Sequence, residues 1–162
     1  MKDKQRNGEA REISLATHMI GEVVPLQQVR DEVFAQKILG DGIAVLPQGD
    51  VLYAPADARV AQVFDSHHAL TLLTSEGVEL LLHVGIDTVQ LKGQFFDVKV
   101  REGQTVTRGQ VLMSFDAQAI GEEGYDLTTP MIVSNSDEFE LHPTAKKSVE
   151  AGQEILRLTR KE

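Results

Sequence analysis

Between residues 51 and 116 no hydrophobic period lasts long enough for a packing helix. "VLYAPADARVAQVF" (51–64), "HALTLL" (68–73), "VELLLHV" (78–84), "FFDVKV" (95–100) and "QVLMSFD" (110–116) are β-branched or alternating runs. "SEG", "LKG" and "REG" separate or close several of them. Thirteen glycines suit many tight turns. The helix candidates are short: Gln118–Glu123, and part of Arg30–Leu39, where "GDG" (40–42) stops whatever precedes it. Short strands at regular spacing predict an all-β chain, an antiparallel β-sandwich rather than alternating β-α units.

The length, 162 residues, fits one domain with a real core and hardly two. Residues 1–14 begin charged and aperiodic ("MKDKQRNGEAREI") and read as a flexible tail, with the single domain over 15–162. An amphipathic membrane anchor is the alternative for that tail, but only Ile13 and Leu15 supply apolar surface near it. No apolar run approaches the ~20 residues of a membrane span and no leader-like apolar segment is present, which predicts a cytoplasmic domain.

Acidic residues outnumber basic ones 25 to 16, a formal charge of −9, so nucleic acid is a poor partner and a protein with a cationic patch a better one. The absence of cysteine removes disulfides, thiolate nucleophiles and cysteine-based metal clusters.

A faint internal echo runs through the chain. "VREGQTVTRGQVL" (100–112) and "SVEAGQEIL" (148–156) share a Val-x-x-Gly-Gln core, while "YAPADARV" (53–60) and "LTTPMIV" (127–133) form a second, Pro-led pair. Such hairpins resemble the barrel-sandwich pattern of lipoyl and biotinyl domains and their duplicated relatives. Those carriers present a lysine at a hairpin tip, which this chain lacks in that setting.

The stretch "DSHHALTLLTSEGVELLLHVGID" (65–87) holds three of the five histidines. As a hairpin with Ser75–Glu76 as a two-residue loop, it sets His68 directly opposite His83. With Glu76–Gly77 as the loop, the two are diagonal neighbours on one face, about 5–8 Å apart either way. A three-residue loop sends them to opposite faces. Alternation puts Leu80, Leu82 and Val84 on the buried face and Glu79, Leu81 and His83 on the other. An apolar Leu81 beside a titratable His83 is the pattern of a docking surface.

These residues resemble the glucose-family enzyme IIA domains of the bacterial phosphoenolpyruvate-dependent sugar phosphotransferase system. The matching stretches are "EVFAQKILGDGIAVLP" (32–47), "LYAPADARVAQVF" (52–64), "HHAL" (67–70), "GVELLLHVGIDTVQLKG" (77–93), "EGQTVTRGQVL" (102–112) and "LTTPMIVSN" (127–135). The resemblance covers about residues 19–160 and implies a compact antiparallel β-sandwich of the duplicated hybrid-motif type. It implies that His83 carries the phosphoryl group on Nε2, that His68 hydrogen-bonds that phosphate, and that Gly85 supplies the carbonyl for the Nδ1 proton of His83. Ser66 stands where many members have a threonine linked to the second histidine. His67 stands where asparagine or lysine is usual, and by alternation it points away from His68.

By the same resemblance Val33, Phe34, Leu39, Phe64, Leu81 and Val89 form a shallow apolar ring, and Asp31 and Asp87 rim it. Read without the family, Phe34 and Phe64 are core residues and Asp31 a turn residue. The implied partners are HPr, the upstream phosphocarrier, and a IIB domain of a sugar permease downstream, with regulatory targets for the unphosphorylated form. No cofactor is implied and no metal is required. The alternatives are an incidental zinc held by His68 and His83, with Asp87 or Glu79 as an oxygen donor, and a purely regulatory domain of the same fold.

Overall fold

The computed structural model describes residues 12–162. Fourteen strands are present among them: β1 (Glu12–Ala16), β2 (Gly21–Pro25), β3 (Asp41–Pro47), β4 (Val51–Tyr53), β5 (Ala58–Val63), β6 (Ala69–Thr74), β7 (Glu79–His83), β8 (Phe96–Val98), β9 (Thr105–Val106), β10 (Val111–Phe115), β11 (Thr129–Val133), β12 (Phe139–Pro143), β13 (Ser148–Val149) and β14 (Glu154–Arg160). The two α-helices are short, α1 (Glu32–Ala35) and α2 (Ala117–Glu122), close to both expected places. Each starts on an aspartate N-cap. Asp31 accepts from the Val33 amide at 2.9 Å, and Asp116 from the Ala119 amide at 3.0 Å.

Every strand pairing is antiparallel. The strands form an eight-stranded sheet in the order β13-β2-β3-β11-β7-β6-β5-β9 and two three-stranded sheets, β1-β14-β12 and β4-β10-β8. No sheet closes on itself, so the architecture is a sandwich and not a barrel. The first strand begins at Glu12, ahead of the expected domain start at 15, and its Ile13 and Leu15 side chains are buried in the core. Residues 1–11, where most of the expected tail falls, lie outside the described residues.

The main core draws on all three sheets: Leu15 and Leu158 from one, Leu52 and Leu112 from another, Val45, Leu70, Leu82 and Met131 from the third. Alternation sorts the large sheet as expected. Leu80, Leu82 and Val84 are buried, while Glu79 is exposed and Leu81 and His83 are half-buried on the other face. That outer face carries a second, smaller core of Leu26, Val29, Phe34, Ala44, Ile86 and Ile132, against which Leu81 packs. The segment carrying α1 therefore covers β3, β11 and β7 from outside. Strand β11, covered on both faces, is buried at every residue.

The echoed glycines mark one turn used three times. In "REGQ" (101–104), "TRGQ" (107–110) and "EAGQ" (150–153) the glutamine amide nitrogen donates to the carbonyl of the first residue. Its side-chain oxygen accepts from the same residue's N–H. The glycine in each has a positive φ, near 86°. The repeat in the sequence is thus a repeated local hydrogen-bonding solution.

Candidate functional site

The β6–β7 hairpin closes with three loop residues, not two. Thr74 N–H donates to the Val78 carbonyl and Gly77 N–H back to the Thr74 carbonyl, leaving Ser75, Glu76 and Gly77 in the loop. The register pairs Leu73 with Glu79 and Ala69 with His83. Both two-residue loops expected from the sequence are thereby corrected: glycine at the third position allows a turn plus a left-handed residue. Under this register strict alternation sends His68 to the face opposite His83.

The two histidines meet nevertheless. Their ring centroids are 4.7 Å apart with the planes at 82°. Strand β6 begins only at Ala69, so His68 belongs to the corner that joins β5 to β6. His67 precedes it with φ at 60°, and its amide closes a turn onto the Phe64 carbonyl at 2.8 Å. Alternation holds within a strand and lapses at such a corner. The strand partner of His83 is the small Ala69.

Around the pair the geometry is specific. His83 Nδ1 lies 2.8 Å from the Gly85 carbonyl. A carbonyl can only accept, so Nδ1 carries the proton and Nε2 keeps the lone pair. Phe34 lies against His83 with centroids 5.1 Å apart, and Phe64 meets His68 edge-on at 5.7 Å. Gly85 is at φ 76°, and a Cβ there would lie 2.6 Å from Thr88 Cγ2, so only glycine fits this corner.

Both imidazoles are held neutral. Burial lowers the pKa of His68 to about 4, helped by the neighbouring His83, while the Ser66 backbone pulls weakly upward. His83 is also lowered by burial, opposed by the Gly85 carbonyl and by the carboxylates of Asp31 and Asp87. Asp31, the cap of α1, and Asp87, in a left-handed conformation after Gly85, thus both act on His83. The His68 Nδ1 is buried without a hydrogen-bond partner, so the Ser66 hydroxyl makes no bond to it. Serine lacks the second Cβ branch that restricts a threonine hydroxyl.

The expected apolar ring divides by depth. Phe34 is buried, Phe64 and Leu81 are half-buried, and Val33, Leu39 and Val89 are exposed at 42%, 43% and 49%. One further exposed apolar residue, next to Leu39 in the chain, was not singled out from the sequence. Ile38 is 65% exposed, and its amide donates to the Val33 carbonyl at 3.1 Å where the chain leaves α1. The adjacent pair Ile38–Leu39 in a short polar segment was the available signal. His67 is exposed and its ring lies near Gly93, away from the pair. Among the described residues no group of three or more His, Asp or Glu side chains is placed to hold a metal ion. No helix among them is long and apolar enough to cross a membrane.

The comparisons with known proteins converge on one family. A family profile described as "phosphoenolpyruvate-dependent sugar phosphotransferase system, EIIA 1" matches residues 13–139. The glucose-specific EIIA component of Haemophilus influenzae is 36% identical over 151 residues, which cover 93% of this chain and 91% of that protein. The beta-glucoside-specific EIIBCA component of Dickeya chrysanthemi is 43% identical over 152 residues, and the chain spans 24% of that protein's length. The solved glucose permease IIA from Mycoplasma capricolum superposes with a TM-score of 0.85 at 30% identity, covering 90% of this chain and 95% of that one. With the sandwich and the matched region agreeing over nearly all of its length, the chain belongs to the EIIA 1 family of the phosphoenolpyruvate-dependent sugar phosphotransferase system.

Proposed function

We propose that the chain relays a phosphoryl group, taking it from the phosphohistidine of an HPr-type carrier onto Nε2 of His83 and passing it to a IIB domain of a sugar permease. The observation that carries this reading is the His83 Nδ1–Gly85 carbonyl contact at 2.8 Å beside a second imidazole. It leaves Nε2 with a lone pair at neutral pH, where burial keeps the ring uncharged.

In the transfer the Nε2 lone pair forms the new N–P bond as the donor's P–N bond breaks, and the proton stays on Nδ1, donated to the Gly85 carbonyl. Phosphoryl transfer of this kind goes through a loose transition state, so positioning and charge stabilisation are what the protein supplies. His68, next to the acceptor, donates a hydrogen bond to the arriving group without the fixed charge of an arginine. That suits a relay, because an over-stabilised phosphate would not leave. Ser66 reaches His68 through its backbone, which favours the charged form of that ring.

Val33, Phe34, Leu39, Phe64, Leu81 and Val89, with Ile38, form the docking disc, and Asp31 and Asp87 meet basic side chains of the donor. A charged rim speeds encounter and a small apolar contact keeps release fast. The chain acts in the cytoplasm, and the fused EIIBCA relative favours a IIB partner. The test is transfer of labelled phosphate from phosphoenolpyruvate through enzyme I and HPr. One acid-labile phosphate per chain is expected, and an unlabelled wild-type chain sinks the relay.

A further inference from the structure

The Gly85 carbonyl that sets the His83 tautomer sits on a residue with no side chain to hold it, at a positive φ that glycine leaves easily. Its fastening comes from the segment leading into β11. Ile86 N–H, the other end of the same peptide unit, donates to the Asp126 carbonyl at 2.8 Å. On the preceding unit, Gly85 N–H donates to Thr129 Oγ1 at 3.2 Å. The Thr129 hydroxyl spends its one proton on the Leu127 carbonyl at 2.8 Å, so its lone pair is what faces Gly85. Thr129 is fully buried, so water has no access to replace that hydroxyl.

Behind Thr129 stands a residue that the phosphoryl chemistry does not use. His18, also fully buried, approaches the Thr129 carbonyl with Nε2 at 2.8 Å. Its Nδ1 has no partner among the described residues. A neutral ring facing a carbonyl carries its proton on the facing nitrogen, so His18 donates from Nε2. The result is a continuous chain, His18–Thr129–Gly85–His83, linking residues far apart in sequence.

We propose that Thr129 is a positioning residue for His83: its hydroxyl pins the Val84–Gly85 peptide unit beside the one that Asp126 fastens, so that the Gly85 carbonyl holds His83 as the Nδ1–H tautomer, with His18 bracing Thr129 from behind. The proposal rests on His83 as the phosphoryl acceptor for its consequence, but the tautomer can be read independently of transfer. Thr129→Val keeps the shape and removes the hydroxyl, while Thr129→Ser keeps the hydroxyl. In 15N-labelled protein the His83 ring shifts report the tautomer and its titration.

Thr129→Val is expected to give a mixed His83 tautomer, a His83 pKa below that of wild type because a carbonyl that stabilises the imidazolium has moved, and labelling slowed about tenfold. Thr129→Ser is expected to restore all three. A valine variant with wild-type tautomer and titration overturns the proposal. So does a Gly85 amide in the wild-type protein that exchanges with solvent as fast as exposed loop amides, a measurement that needs no variant. A wild-type chain with an ordered His83 tautomer that takes no phosphate sinks the relay and leaves this linkage standing.

Discussion

The imidazoles of His68 and His83 stand nearly perpendicular, 82° between planes and 4.7 Å between centroids, although Ala69 and not His68 is the strand partner of His83. Each role is separable by substitution. His83→Ala is expected to take no phosphate from phospho-HPr, whereas His68→Gln takes it but delivers it to a IIB domain about a hundredfold more slowly, the low end of what a positioned proton donor supplies. Single-turnover labelling and chase measure both steps. Labelling that survives loss of His83 moves the acceptor elsewhere.

The rim carboxylates make a signed prediction about titration. Burial lowers the His83 pKa, and Asp31 and Asp87 oppose that lowering by favouring the imidazolium. Removing either negative charge therefore moves the His83 titration further down. Asp31→Asn and Asp87→Asn are the variants, and ring 15N shifts followed against pH are the measurement. Asp87→Asn isolates the charge best, because Asp31 also caps α1 and its loss frays that helix. An unchanged midpoint in both variants removes the carboxylates from the site's electrostatics.

The proposed docking disc predicts that docking and stability depend on different residues. Ile38, Val33 and Val89 are exposed, so Ile38→Asp should leave stability within about 0.5 kcal/mol of wild type while weakening HPr saturation. Phe34→Ala, by contrast, opens a cavity in the second core and should cost about 3 kcal/mol. Chemical denaturation separates the two, and the apparent KM for HPr reports docking. A KM unmoved by aspartate at both Ile38 and Val89 would falsify this face as the docking surface.

Gly85→Ala tests the corner itself. The added Cβ meets Thr88 Cγ2 at 2.6 Å and the Asp126 carbonyl oxygen at 3.1 Å, and the φ of 76° is strained for alanine. A loss of roughly 1–3 kcal/mol is expected, together with a disordered His83 tautomer. Thermal unfolding and ring 15N shifts check the two effects in the same sample.

His18 predicts the pH profile of stability. Burial lowers its folded pKa to about 4 from an ordinary value of 6.5. Below 6.5 the unfolded chain takes up a proton that the folded one refuses, so stability is complete above that pH and drains away as pH falls toward 4. The span is about 3 kcal/mol for this one group. His68, lowered similarly, adds to the same window. The measurement is ΔG of unfolding in urea between pH 7 and pH 4. His18→Gln, which does not titrate, should flatten the profile, and an unaltered slope removes His18 as its source.

Much of the site was legible because local rules govern much of it. Alternation within β7 placed Leu80 and Leu82 inward and Leu81 and His83 outward, since backbone pleating alone dictates that sorting. The Gly-Gln turns and the two short helices were visible because their hydrogen bonds are local, made by side chains only a few residues away. The family motif carried the rest of the expectation, including the Gly85 carbonyl at His83 Nδ1.

The tertiary structure decided what no short window contains. One loop residue, Gly77, set a register under which alternation parts the two histidines, and the β5–β6 corner brought them together again. Thr129 reaches the site, and His18 reaches Thr129 across 111 residues of sequence, only because β11 is buried between its neighbouring strands and two cores. What the sequence determined by itself was the pattern of strands, turns and caps, together with the residues able to do the chemistry. Which of those residues touch was decided by packing, because burial leaves each polar group the single partner that the folded chain happens to bring within reach.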